Sequence, residues 1–350
     1  MIYAEVLRQL LMQLGNRKET VVVKMKKRCL IMMTSYNGEK YISEQINTII
    51  NQTYKNWQLI IQDDGSTDKT LDIINKYVKT DSRISLYKNN DNHGAYCNFH
   101  SLIKKCKKLE PYDYYMFADH DDAWMTNKMQ KMIAFCEKKS NKNIPTLVYA
   151  DMKMTDENGV ITDESFNKAL GITYKNSVST FFSQDVYGCN TFLNYKLFEM
   201  VPSIDTNDKM CKRIPHDAYF MKFAALKGKL LYLDEPLMLY RRHGNNVTSK
   251  QTYSFGIKKL FKRLLSIDNL AKSHESTYSH SLFTIKKMRT ISLEPNERQL
   301  IDEVERCIKK GGFSSLKFFI QNKVYCGKRI KTISRGFILF TGLYKKYLVE

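Results

Sequence analysis

The chain predicts a doubly wound, mainly parallel α/β sheet followed by a helical, basic appendage. Three observations carry this. Short apolar runs alternate with helical stripes from Cys29 to about residue 135, two of the runs end abruptly in carboxylates, and basic residues dominate after Val247. Strands alternating with helices imply βαβ units, whose strands run parallel with helices on both faces.

Residues 1–24 carry an apolar pattern, Val6, Leu7, Leu10, Leu11 and Leu14, that fits a short amphipathic helix. Met25-Lys26-Lys27-Arg28 reads as a start in its own right, so 1–24 is taken as a dispensable extension. Cys29–Thr34 is a strand-like run stopped by the loop signal Ser35-Tyr36-Asn37-Gly38. Tyr41, Ile42, Gln45, Ile46, Ile49 and Ile50 form a helical stripe. Trp57–Gln62 is a second strand closing in Asp63-Asp64-Gly65-Ser66, with Ser66 or Thr67 as the expected cap of the next helix, through Leu71, Ile74 and Tyr77. Ile84–Tyr87 is a third strand, Asn98–Lys108 a third helix and Tyr114–Ala118 a fourth strand. Beyond these, Leu147–Ala150 and Leu230–Leu233 read as strands. The expected units are a domain over 25–250, in halves 25–135 and 136–250, and an appendage over 251–350.

Net charge is +20, spread unevenly. Residues 1–28 carry +5, 29–250 only +3, and 251–350 the remaining +12. A nucleic-acid enzyme would carry its basic stripe beside its active site; basic ends on a nearly neutral body fit an anionic membrane surface better. Ile257, Leu260, Phe261, Leu264 and Leu265 form one helix face with Lys258, Lys259, Lys262 and Arg263 opposite. Such a helix either lies on a membrane or packs on the protein's own sheet. The aromatic, basic stretch Phe337–Tyr347 favours the membrane. No uncharged stretch exceeds about a dozen residues, against the roughly 20 a membrane span requires. The eight cysteines show no Cys-x-x-Cys pair, which reads as reduced, buried cytosolic thiols.

The chemistry concentrates in Asp119-His120-Asp121-Asp122, at the end of an apolar strand. Clustered carboxylates repel one another unless a cation lies between them, and a hard divalent ion with oxygen ligands is the simplest partner. Asp63-Asp64 ends another strand, and in a parallel sheet such ends share the ligand-binding edge. No Gly-x-Gly-x-x-Gly or Walker loop occurs, so a nucleotide here would depend on carboxylates for base and ribose and on a metal for its diphosphate.

Met33-Thr34-Ser35-Tyr36-Asn37-Gly38, Gln52-Thr53-Tyr54 and Asp63-Asp64-Gly65-Ser66-Thr67-Asp68 resemble the opening of glycosyltransferase family 2, and Asp119-His120-Asp121-Asp122-x-Trp124 its Asp-x-Asp signature. Val186-Tyr187-Gly188-Cys189-Asn190, Pro215-His216-Asp217 and Leu239-Tyr240-Arg241-Arg242-His243-Gly244-Asn245-Asn246 resemble its acceptor-side motifs, most closely in the rhamnosyltransferase-like branch of bacterial surface-polysaccharide enzymes. The resemblance spans residues 29 to about 248. It implies a GT-A fold and inverting, metal-dependent transfer of a rhamnose- or glucose-like sugar from a UDP- or dTDP-sugar to a lipid-linked saccharide. The enzyme would be cytoplasmic, peripheral on the inner membrane face, with no nucleic-acid partner. By position, Thr34, Tyr36 and Asn37 match the base-holding loop and Asp64 the carboxylate on the pyrimidine. Asp119 falls near ribose and metal (Mg²⁺ or Mn²⁺), Asp121 matches the main metal ligand and His243 the histidine closing the metal site. Gly188 matches the loop beneath the donor sugar, and Asp217 the catalytic base.

Each role has a structural rival. Asp63 reads as a helix cap before a ligand contact, Asp122 as support for its neighbours, and His243 as loop histidine or metal ligand. Asp217 leads an apolar stretch and is also a helix N-cap candidate; helix N-terminal placement favours a carboxylate's charge, which a base needs. His216 stands where the wider family commonly has Glu, and His120 where the branch often has Gln. The Gln-x-x-Arg-Trp motif of processive synthases is absent, which fits one sugar added per encounter. The rival functions are a catalytically lapsed sugar-nucleotide-binding module and a metal-dependent nucleic-acid enzyme.

Overall fold

The structure, a computed structural model, describes residues 27–244 apart from 173, 175, 184 and 185, then residue 246 and residues 267–349. The expected helices within 1–24 and over 257–265 lie outside the described residues. The strands are β1 (Cys29–Ser35), β2 (Trp57–Asp63), β3 (Ile84–Lys88), β4 (Tyr114–Asp119), β5 (Ala123–Trp124), β6 (Thr146–Thr155), β7 (Ile161–Asp163), β8 (Thr191–Asn194) and β9 (Lys229–Arg241). The helices are α1 (Ile42–Ile50), α2 (Thr70–Thr80), α3 (Ala95–Cys106), α4 (Lys128–Lys139), α5 (Phe166–Leu170), α6 (Tyr195–Met200) and α7 (His216–Lys227), then α8 (Ile267–Met288), α9 (Pro295–Lys310), α10 (Gly312–Gln321) and α11 (Arg329–Thr341).

One sheet runs in the order β3-β2-β1-β4-β8-β6-β9-β5, with β7 on the side of β6. Strands β3, β2, β1 and β4 are mutually parallel, as the alternation predicts. All seven residues of β1 are buried, because helices cover both faces of a parallel sheet. Strand β8 then inserts antiparallel between β4 and β6, and β9 returns parallel to β6. β9 extends far past the expected Leu230–Leu233: its register with β6 shifts between Leu233 and Pro236, so the proline falls at a bulge, where its missing N–H costs no ladder bond.

Helix α2 starts at Thr70 with no side-chain cap, not after Ser66 or Thr67. Those two residues instead knit the neighbouring loop: the Asn37 amide donates to Ser66 Oγ at 2.9 Å, and the Thr67 amide to Asn37 Oδ1 at 2.9 Å. Asp217 is likewise not the N-cap of α7; Pro215 holds that place in an extended conformation. Helices α8–α11 share a core with one sheet face. Phe182 meets the rings of Tyr278 and Phe319, Ser281 Oγ donates to the Phe181 carbonyl at 2.7 Å, and Lys227 pairs with Glu297 at 2.5 Å. Among the described residues no helix is long and apolar enough to cross a membrane. All eight cysteines are buried and unbridged.

Candidate active site

Register brings the acidic clusters together. Thr34 pairs with Asp119 across β1–β4, and Ser35 with Asp63 across β1–β2, so the loops after three adjacent strands open side by side. Between them and the start of α7 lies a cavity of about 750 Å³. Its walls include every site residue singled out from the sequence: Thr34, Tyr36, Asn37 and Asp64 on one side, Asp119, Asp121 and His243 at the β4 edge, and Gly188 and Asp217 opposite.

On the first side, Tyr36 stands 42% exposed, a free aromatic face at the cavity. Asn37 holds a left-handed backbone, φ 45°, and spends its side-chain oxygen on the Thr67 amide. Asp64 accepts from the Gly94 amide at 2.8 Å, the His93 amide at 3.1 Å and Asn89 Nδ2 at 2.8 Å, which fastens the loop before α3 to β2. Asp63 is fully buried and caps no helix: it accepts from Ser35 Oγ at 2.8 Å and from the Ser66 amide and hydroxyl at 2.8 and 2.6 Å.

At the β4 edge, His243 Nε2 donates to Asp121 Oδ2 at 2.9 Å and Asn246 Nδ2 donates to the same oxygen at 3.1 Å. Arg241, buried at the end of β9, donates from Nε to the Asp121 carbonyl at 3.0 Å and pairs with Glu44 at 2.6 Å, which fixes the chain leading to His243. Burial pushes the Asp121 carboxyl up, but the His243 hydrogen bond and the charges of His120 and His243 hold it below the usual range. Asp119 is pushed up to about 7 by burial and by the charges of Asp121 and Asp217. Asp122 is raised well above the carboxylate range by burial, Asp121 and Asp119; it accepts from the Arg241 amide at 3.1 Å, while its Oδ2 is buried with no hydrogen-bond partner.

This donor set fits a hard divalent cation. Asp119 and Asp121 offer carboxylate oxygens and His243 an imidazole nitrogen, which could join them as a ligand once the proton it shares with Asp121 Oδ2 is released. The ligand atoms of Asp119, Asp122 and Cys189 also lie within 4.8 Å of one another. Burial and the charges of Asp122 and Asp119 push the Cys189 thiol well up.

Across the cavity, the Gly188 amide donates to Asp217 Oδ2 at 2.8 Å, and the Ala218 amide to Asp217 Oδ1 at 2.6 Å. His216 is 5% exposed, stacked on Phe99 at 3.9 Å, and neither ring nitrogen has a hydrogen-bond partner. Burial and the neighbouring His100 hold it well below the usual histidine range, so the ring is neutral.

Two contributors escape sequence reasoning. Tyr96 lines the cavity, its hydroxyl pushed up to about 12 by burial and the charges of Asp217 and Asp119, and nothing in its sequence surroundings marks it. Lys128 is fully buried beneath the cluster: Nζ donates to the Cys189 carbonyl at 2.7 Å and lies 4.0 Å from the Trp124 ring. Burial lowers it to about 7 against the opposing pull of Cys189, Asp122 and Asp119. Its signal was available: a lysine opening a helix runs against the helix dipole.

The sequence pattern of Glycosyl transferase family 2 matches residues 30–202. The dTDP-rhamnosyl transferase RfbG of Shigella flexneri is 31% identical over 244 residues, 68% of this chain and 79% of that one. The S. aureus TarS 1–349 structure in complex with UDP-GlcNAc superposes with a TM-score of 0.51 at 14% identity, covering 91% of each chain. A Pyrobaculum calidifontis mannosyltransferase in complex with GDP-Man and Mn²⁺ gives 0.50 at 12% identity, covering 92% of this chain and 88% of that one. The fold is therefore GT-A, and the chain belongs to glycosyltransferase family 2.

Proposed function

We propose that this glycosyltransferase moves a rhamnose- or glucose-like unit, with inversion, from a UDP- or dTDP-sugar to a hydroxyl of a lipid-linked saccharide during bacterial surface-polysaccharide synthesis. The observation that carries the reading is the single cavity in which Asp217 faces the Asp119–Asp121 edge closely enough for its charge to raise Asp119. Asp217 takes the proton of the acceptor hydroxyl while that oxygen bonds the anomeric carbon and the bond to the diphosphate breaks, its electron pair leaving with the nucleotide. One base suffices for one displacement. Thr34, Tyr36, Asn37 and Asp64 hold the pyrimidine end, with Tyr36 as the stacking surface, and Gly188 lies beneath the sugar. Asp121, Asp119 and His243 would hold Mg²⁺ or Mn²⁺, which supplies neutralising charge for the leaving diphosphate. RfbG, by its name a dTDP-rhamnosyl transferase, supports the donor class, and the Mn²⁺ of the Pyrobaculum enzyme supports the metal.

The excess of positive charge at the chain ends supports work at the anionic inner face of the cell membrane, where a lipid-linked acceptor resides. A panel of UDP- and dTDP-sugars, with and without Mn²⁺, scored by protection against thermal unfolding, tests the assignment. Metal-dependent protection by one pyrimidine sugar nucleotide is expected; no protection by any of them overturns it.

A further inference from the structure

Helices α10 and α11 pack antiparallel. Gly336 of α11 lies so close to α10 that a Cβ there would meet Phe319 at 3.4 Å and Leu316 at 3.6 Å. What they turn outward is apolar. On α10, Phe313 is 80% exposed and Ile320 65%; on α11, Ile333 is 71% exposed, in one stripe with Ile330, Phe337 and Phe340 at i, i+3, i+7 and i+10 spacing. The Phe313 and Phe340 rings meet edge to face at 5.5 Å, so the two stripes form one continuous surface. Large side chains scattered singly on a surface need no explanation, but a contiguous face of them does.

Charge says what covers it. Residues 306–349 hold eleven lysines and arginines and no acidic residue. Lys317 lies within the α10 stripe between Phe313 and Ile320, and Arg329 stands exposed beside Ile330. A second copy of this face would meet it with like charge. The chain outside the described residues offers no complement either: residues 1–26 carry net +3, and 247–266 carry five basic residues and no acidic one. Exposed aromatic and branched aliphatic side chains flanked by basic ones, here Lys317 and Arg329, are the chemistry of an amphipathic surface resting in the headgroup layer of an anionic bilayer.

We infer that the α10–α11 face docks this enzyme on anionic lipid, Phe313, Ile320, Ile333 and Phe337 entering the headgroup boundary while Lys317 and Arg329 meet lipid phosphates. The inference deepens the membrane part of the proposed function and rests on it for the choice of a lipid surface. The test is co-sedimentation of the full chain with vesicles of phosphatidylcholine alone and of phosphatidylcholine with equimolar phosphatidylglycerol. Binding is expected only with the anionic lipid, weakening with added salt.

Phe313→Ser with Ile333→Ser, and separately Lys317→Glu with Arg329→Glu, should each weaken that binding by about tenfold or more. All four side chains are exposed, so the thermal midpoint and any protection by sugar nucleotides should remain those of the parent. Three results would overturn the inference: no preference for anionic vesicles, variants that bind as the parent does, or a dimer in solution that the Phe313/Ile333 pair converts to monomer. Vesicle binding without nucleotide protection would sink the reading of the cavity and leave this surface standing; protection without vesicle binding would do the reverse.

Discussion

The Gly188 amide grips Oδ2 of Asp217 at 2.8 Å, and the same glycine abuts the residue before it: a Cβ at 188 would sit 2.3 Å from His216 Nε2. The constraint is spatial, because the atom in the way belongs to a ring stacked on Phe99, not to the free end of a flexible chain. Gly188→Ala should displace His216 and the attached Asp217 together. Turnover is expected to fall about 100-fold, the cost of misplacing a catalytic group by about 1 Å, with the far smaller change in nucleotide affinity measured by titration.

Asp217→Asn keeps the shape and removes the basicity. Turnover should drop by about 10²–10⁴, while the dissociation constant for the donor stays close to that of the parent. A variant that turns over normally would remove Asp217 from the role of base.

Asp121 and His243 should act as a pair through the metal. Asp121→Asn and His243→Ala are each expected to abolish the Mn²⁺-dependent part of the thermal protection by a sugar nucleotide. The double variant should be no worse than either single one, since both lose the same ion. Additive losses across the cycle would separate the two residues.

Acid should loosen the fold through buried histidines. Burial holds His100 down at about 4, with Nε2 donating to the Ile214 carbonyl at 2.9 Å, and holds His280 at about 3. The unfolded chain takes up these protons near 6.5 and the native chain only below about 4, so between those values protons favour unfolding. Stability should therefore fall by about 1.4 kcal/mol per pH unit per histidine as pH drops through this window. His100→Gln keeps a donor but cannot titrate. Its melting temperature should decline less steeply from pH 7 to pH 5 than the parent's, and equal slopes would exclude His100 as a source.

Lys128→Met should leave the Cys189 carbonyl without its 2.7 Å donor, costing about 1–3 kcal/mol in chemical denaturation. Because Cys189 follows Gly188, the loss should also appear in kcat more than in KM. An effect on stability alone would confine Lys128 to the core.

The parallel half was legible because its signals are local. Cys29–Ser35, Trp57–Asp63 and Tyr114–Asp119 are apolar runs with abrupt polar ends, and the motifs at those ends named the residues that now line one cavity. Elements whose identity rests on distant partners were not. Thr191–Asn194 is too short to announce itself and is a strand because β4 and β6 flank it. Asp234-Glu235-Pro236 reads as a stop, yet β9 continues through it because the bulge opposite Asp151 accommodates the proline. Ser66 and Thr67 look like helix caps, but Asn37, nearly thirty positions away, claims them first. Lys128 carried a local signal, its place at the start of a helix, but its partner, the Cys189 carbonyl, lies 61 positions away and is set beside it only by the fold.

Strand β9 carries a last consequence. Asp121 and the histidine that meets it are 122 positions apart, and Asp217 lies between them in sequence. A chain leaving the ribosome displays β1, β2 and β4 with their carboxylates long before residues 229–246 exist to complete the site. An unfinished chain lacks the segment that carries His243 to Asp121, so this edge of the cavity closes only once the sheet has accepted its last long strand.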